Sequence, residues 1–116
     1  MPRKSMQVLT DSMFYILMAL SKEEMCGQDI AAAIDALTES RIQIGPATLY
    51  TILSKFLKEG IIEETPAGGR KRNYKLTESG KQVYQQEKER LLLCLEDAKR
   101  METYEYRQKD AAVSVI

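Results

Sequence analysis

A chain of 116 residues with seventeen basic and seventeen acidic side chains has no global field to draw it to nucleic acid, so its charge must be read locally. It has no histidine, and its two cysteines, Cys26 and Cys94, stand far apart. This removes the commonest general base and metal ligand and leaves no disulfide framework. A chain this short forms one domain, or one domain with a long appendage, and buries proportionately little surface.

Residues 1–7 are polar; Arg3 and Lys4 are not followed by the apolar stretch and cleavage site of a secretory signal. From Val8 to Leu20 the chain is rich in Met, Leu, Ile and aromatics, which predicts a largely buried first helix with Thr10 and Asp11 at its start. The run Met13–Leu20 is too short to span a bilayer. After a polar break at Lys22–Glu24, Gly27 opens a second helix. Ile30, Ile34 and Leu37 recur there at helical spacing, and the pattern fades at Ser40–Gln43.

The third helix has the clearest start, Gly45 before Pro46, because proline suits a first turn whose N–H has no partner. Leu49, Ile52, Leu53 and Phe56 make one apolar stripe. Ala47, Thr48, Tyr50, Thr51, Ser54, Lys55 and Lys58 take the other side, and Gly60 stops the helix. Ile61–Thr65 then reads as a strand, Pro66–Gly69 as a turn, and Arg72–Leu76 as a returning strand with Tyr74 and Leu76 on one face. The tip gathers Arg70, Lys71 and Arg72 with no acid among them. A last helix starts at the N-cap Thr77 and extends to about Tyr106, roughly 45 Å. Tyr84, Leu91, Leu95, Ala98 and Met101 mark its apolar stripe, widened by Val83, Leu92 and Cys94.

Three helices, a hairpin and a long helix follow the winged helix-turn-helix plan, a mainly α fold with a small β-hairpin. The expected division is a winged-helix DNA-binding domain over 1–77 and a C-terminal dimerisation helix with a short tail over 78–116. The small residues Ala47, Thr48, Thr51 and Ser54, with Pro46 ahead of them, let the third helix enter a major groove. Lys55 and Lys58 can reach phosphates, and Arg70, Lys71 and Arg72 can grip backbone or minor groove from the wing. The long stripe of Tyr84, Leu91, Leu92, Leu95, Ala98 and Met101 is most easily buried by a twofold partner; packing back on its own domain is the alternative.

The string GPATLYTILSKFLKEGII from Gly45, followed by GGRKRNYKLTESGK from Gly68, resembles the PadR family of bacterial regulators, over about residues 8–90. The resemblance implies cytoplasmic repressors that dimerise through a C-terminal helix and bind pseudo-palindromic promoter DNA. Tyr50 would touch the DNA backbone, Thr48 the groove, and Arg70–Arg72 the wing contact. It also suggests relief by a small aromatic or lipophilic effector, or control by abundance alone. Met13, Leu17, Leu91, Cys94 and Leu95 could line an effector pocket or simply fill the interface. The chain departs from the family pattern at Cys26 and Asn73, both at positions where an aromatic is usual, at the weakly basic Ser54-Lys55 pair, and in the apolar bulk of Phe56-Leu57.

An enzyme is not expected: there is no carboxylate pair in a plausible cleft, no phosphate-cradling glycine loop and no ligand cluster for a metal or cofactor. The two cysteines are expected as buried or partly buried free thiols. A winged-helix module that binds a partner protein instead of DNA is the competing functional reading.

Overall fold

The computed structural model describes residues 9–66, 68–69 and 71–105. Its elements are α1 (Asp11–Lys22), α2 (Gly27–Leu37), α3 (Pro46–Lys58), β1 (Ile62–Pro66), β2 (Arg72–Leu76) and α4 (Glu78–Thr103). This is the expected order, four helices with a two-stranded antiparallel hairpin.

α1 starts at Asp11 because Thr10 caps it: the Thr10 hydroxyl accepts from the Met13 N–H at 3.2 Å. The helix runs beyond the expected Leu20 to Lys22. α2 ends earlier than expected, at Leu37. Thr38 there is buried; its hydroxyl donates to the Ile34 carbonyl at 2.8 Å and accepts from the Ile42 N–H at 3.0 Å. Glu39 and Ser40 follow at φ 53° and 64°, outside the helical region, so the chain must turn.

α3 closes on a Schellman motif. The Ile61 N–H reaches the Phe56 carbonyl at 2.9 Å and the Gly60 N–H reaches Leu57 at 3.1 Å. Gly60, at φ 72°, takes the left-handed turn this motif demands. The chain therefore leaves α3 at a fixed angle. Ile61 belongs to the turn, so β1 starts at Ile62, one residue later than the apolar run suggested.

The hairpin register pairs Ile62 with Leu76, Glu64 with Tyr74, Thr65 with Asn73 and Pro66 with Arg72. A third segment joins it. Met25, between α1 and α2, exchanges two backbone hydrogen bonds with Tyr74, at 3.2 and 3.0 Å.

The core is a single cluster. Ile16, Leu17 and Leu20 of α1 meet Ile30 and Ile34 of α2, the full α3 stripe, and Ile61, Ile62, Tyr74 and Leu76 at the hairpin base. Phe56 is wholly enclosed, so its bulk is core. α4 also contributes: Val83 is a core residue, and the Phe14 and Tyr84 rings lie 5.6 Å apart.

Thr77 sets the direction of α4. Its hydroxyl accepts from the Gly80 N–H at 3.0 Å and donates to the Gly60 carbonyl at 2.7 Å. Glu87 is buried, held by Arg90 through two hydrogen bonds of 2.6 and 3.1 Å that raise the arginine's pKa. Leu91 is half-buried, and every described residue after it is exposed. α4 thus leaves the domain as a bare helix, which gives a molecule of 68 × 36 × 22 Å.

Candidate nucleic-acid interface

The α3 face opposite the leucine stripe lies open. Pro46, Ala47, Thr48, Tyr50, Thr51, Ser54 and Lys58 are all exposed. Lys55 is half-buried and ion-paired to Glu59 at 3.3 Å, so of the two lysines Lys58 stands the more open. Apart from Tyr50, the open face carries short side chains over its first two turns, the shape that admits a helix to a major groove.

Tyr50 is tethered on one side. It packs on Gly27, the first residue of α2, so closely that a Cβ there would lie 2.7 Å from the ring Cζ. Tyr50 remains 46 % exposed, with its hydroxyl over the start of α2. Tyr50, Cys26, Gly27 and Gln28 line a cleft with Lys71, Arg72 and Tyr74 of the hairpin. The structure thereby brings the predicted α3 tyrosine together with two predicted wing cations. Cys26 sits buried at the N-cap of α2. Tyr74 is nearly enclosed; burial, and secondarily the Glu64 carboxylate, raises its pKa above 10.0.

Arg70 lies outside the described residues, and so does the tail after Glu105. No acid stands among the tip cations in sequence, but the opposite strand brings acids to the wing. Glu64 on β1 stands 3.8 Å from Arg72, and Glu63 stands 3.8 Å from Lys75. Both are cross-strand neighbours, a relation the hairpin register implies once known. Lys71 is exposed.

Asn73 has a definite role. Its amide donates to Glu24 Oε2 at 3.1 Å, and the Thr65 hydroxyl donates to the same oxygen at 3.1 Å. The two bonds make a polar rung of Thr65 and Asn73 across the hairpin. The sequence marks Gly27 only as the start of α2 and Glu24 only as the end of a polar break; nothing local links residue 24 to residues 65 and 73, or residue 27 to Tyr50.

On α4, Tyr84 packs against α1 and Leu91 is half-buried. Leu92, Leu95, Ala98 and Met101 are exposed. Cys94 is exposed as well, correcting the expectation of a partly buried thiol: it lies past the point where α4 leaves the domain. Of the suggested effector-pocket residues, Leu17 is 0 % exposed within the core and Met13 packs against that core. A pocket reaching Leu17 would have to open the core, while Cys94 and Leu95 stand in solvent. Among the described residues no helix is long and apolar enough to cross a membrane.

Known proteins share this arrangement. A transcriptional regulator from Clostridium thermocellum superposes with a TM-score of 0.67 at 24% identity, over 76% of this chain and 89% of that one. RosR of H. salinarum, in a complex structure, gives 0.66 at 25% identity, covering 93% of this chain and 96% of its own. Bacillus subtilis PadR in complex with operator DNA gives 0.58 at 27% identity, over 69% of this chain and 47% of that protein. No curated protein sequence matches. The model of the transcriptional regulator PadR-like family matches residues 16–86, more than half of the chain and the whole span from the middle of α1 to the first turns of α4. The chain belongs to the PadR-like family of transcriptional regulators.

Proposed function

We infer that this protein is a dimeric, sequence-specific DNA-binding regulator, a cytoplasmic repressor of a pseudo-palindromic promoter site. The observation that carries the reading is the shared cleft of Tyr50, Lys71 and Arg72 beside the open face of α3. A helix with short side chains reads bases, while the flanking tyrosine and cations hold phosphates. The B. subtilis PadR complex with operator DNA supports it.

Residues 1–77 form the DNA-binding unit in this reading. Pro46, Ala47, Thr48, Thr51 and Ser54 face the groove. Tyr50, Lys55, Lys58, Arg70, Lys71 and Arg72 face the backbone. Residues 78–116 carry dimerisation, through Tyr84, Leu91, Leu92, Leu95, Ala98 and Met101. Exposure of Leu92, Leu95 and Met101 at 56, 63 and 60% supports that assignment, since a soluble helix rarely leaves such a series in water. A small aromatic or lipophilic effector would act in the dimer interface, around Met13 and Leu91 and the Cys94 and Leu95 side chains that a partner copy would cover.

The test is footprinting across genomic promoter fragments with the parent, Tyr50→Ala and the double variant Lys71→Ala/Arg72→Ala. A protected twofold site, lost in both variants while the dimer persists, is expected. Equal protection by the variants, or no protected site together with a stable protein partner, overturns the reading.

A further inference from the structure

One carboxylate oxygen ties the wing to the helical body. Glu24 stands in the turn between α1 and α2, and its Oε2 accepts from Thr65 and from Asn73, each at 3.1 Å. Those two residues face each other across the hairpin, one rung before the outermost pair, Pro66 and Arg72. The adjacent residue, Met25, is bonded through its backbone to Tyr74. The backbone bridge fixes one point on β2. The carboxylate fixes a second point and takes hold of both strands. Two points define a direction, so the tilt of the hairpin tip relative to α3 depends on Glu24.

We propose that Glu24 is a positioning residue for DNA binding: it holds the Thr65–Asn73 rung so that Lys71 and Arg72 stand beside Tyr50. The inference rests on the DNA-binding reading above. Glu24 is exposed and lies outside the core cluster, so its bonds add little to global stability. A carboxylate near the wing also repels phosphate. Its electrostatic effect and its positioning effect on DNA affinity therefore have opposite signs, and substitution can separate them.

The experiment measures affinity for the duplex the parent protects, at several salt concentrations, for the parent, Glu24→Ala and Glu24→Gln. Trypsin cleavage after Lys71 and Arg72 is followed without DNA. Alanine removes both bonds. It is expected to weaken binding about fivefold to tenfold, to flatten the salt dependence by about one phosphate contact, and to speed cleavage at the wing. Glutamine keeps an acceptor oxygen at the same reach and loses the charge, so it is expected to bind as tightly as the parent or tighter. Asn73→Ala is expected to weaken binding, and adding it to Glu24→Ala should cost nothing further. Parent-like or tighter binding by Glu24→Ala, the result of charge removal alone, overturns the proposal, as does unchanged cleavage. If the parent protects no site, the DNA-binding reading fails and the proposal falls with it.

Discussion

Gly27 and Tyr50 are in contact with no space for a side chain between them: a Cβ on Gly27 would sit 2.7 Å from Tyr50 Cζ, and closer still to Oη. The first residue of α2 thus fixes where the α3 tyrosine points. The obstructing atoms are the far end of a side chain with solvent on its other side, so the fold can yield by rotating Tyr50 outward.

Gly27→Ala is therefore expected to leave stability within about 1 kcal/mol of the parent, helped by alanine's better helix propensity. It should weaken DNA binding nearly as much as Tyr50→Ala does, and the double variant should bind no worse than Tyr50→Ala alone. Chemical denaturation and DNA affinity, measured on the same three proteins, check this. A Gly27→Ala variant that binds like the parent would show that the Tyr50 position is irrelevant.

The contact at Gly80 differs because backbone opposes it. A Cβ there would collide with the Ile61 carbonyl oxygen and lie 3.1 Å from its carbon. That carbonyl also accepts the Thr77 N–H at 3.1 Å, so it cannot move without freeing α4. Gly80→Ala is expected to cost about 2–3 kcal/mol of unfolding free energy. Thr77→Ala, which loses the cap and its bond to Gly60, should cost about 1–2 kcal/mol. Urea denaturation of each variant decides the order; Gly80→Ala unfolding no more easily than Thr77→Ala would refute the steric account.

Local signals carried much of this architecture. Pro46 and Gly60 bracket α3, the glycines at 68 and 69 mark the hairpin tip, and Thr77 announces α4. The long-range contacts were not legible. Met25 pairs with Tyr74 through backbone atoms, which every residue type has. Glu24 reaches Thr65 and Asn73 across more than forty residues. The early end of α2 depends on the buried hydroxyl of Thr38, a residue with no helix-stopping signature of its own. The acids beside the wing are not legible in the sequence because Glu63 and Glu64 precede the turn, and only the strand register brings them to Lys75 and Arg72. The family resemblance allowed Leu17 a place in an effector pocket, yet the core encloses it.

Tyr74 makes stability sensitive to alkali. Its folded pKa is raised above 10.0, chiefly by burial. The unfolded chain then releases the phenol proton first as pH rises. Stability is fully present below pH 10 and declines from there through the folded pKa. Tyr74→Phe removes this titration, so its stability should fall less steeply above pH 10. Denaturation midpoints between pH 8 and 11, alongside tyrosinate absorbance, test the difference; parallel profiles for variant and parent would contradict it.

The two halves of α4 should respond oppositely to a buried-charge test. Val83 is 2% exposed in the domain's own core, whereas Leu95, on the same stripe three turns on, is 63% exposed. A charge at Val83 must be desolvated when one chain folds, and Val83→Asp is expected to unfold the protein. A charge at Leu95 meets water in the single chain, so Leu95→Glu should shift stability of the monomer by only about 0.5 kcal/mol. It is desolvated only if a second copy covers the stripe. Leu95→Glu is thus expected to yield a folded monomer by sedimentation. Its affinity for a twofold site should drop by about a hundredfold or more, because the second half-site is no longer bound intramolecularly. A parent that is already monomeric at micromolar concentration, or a Leu95→Glu variant that stays dimeric, would assign the stripe another role.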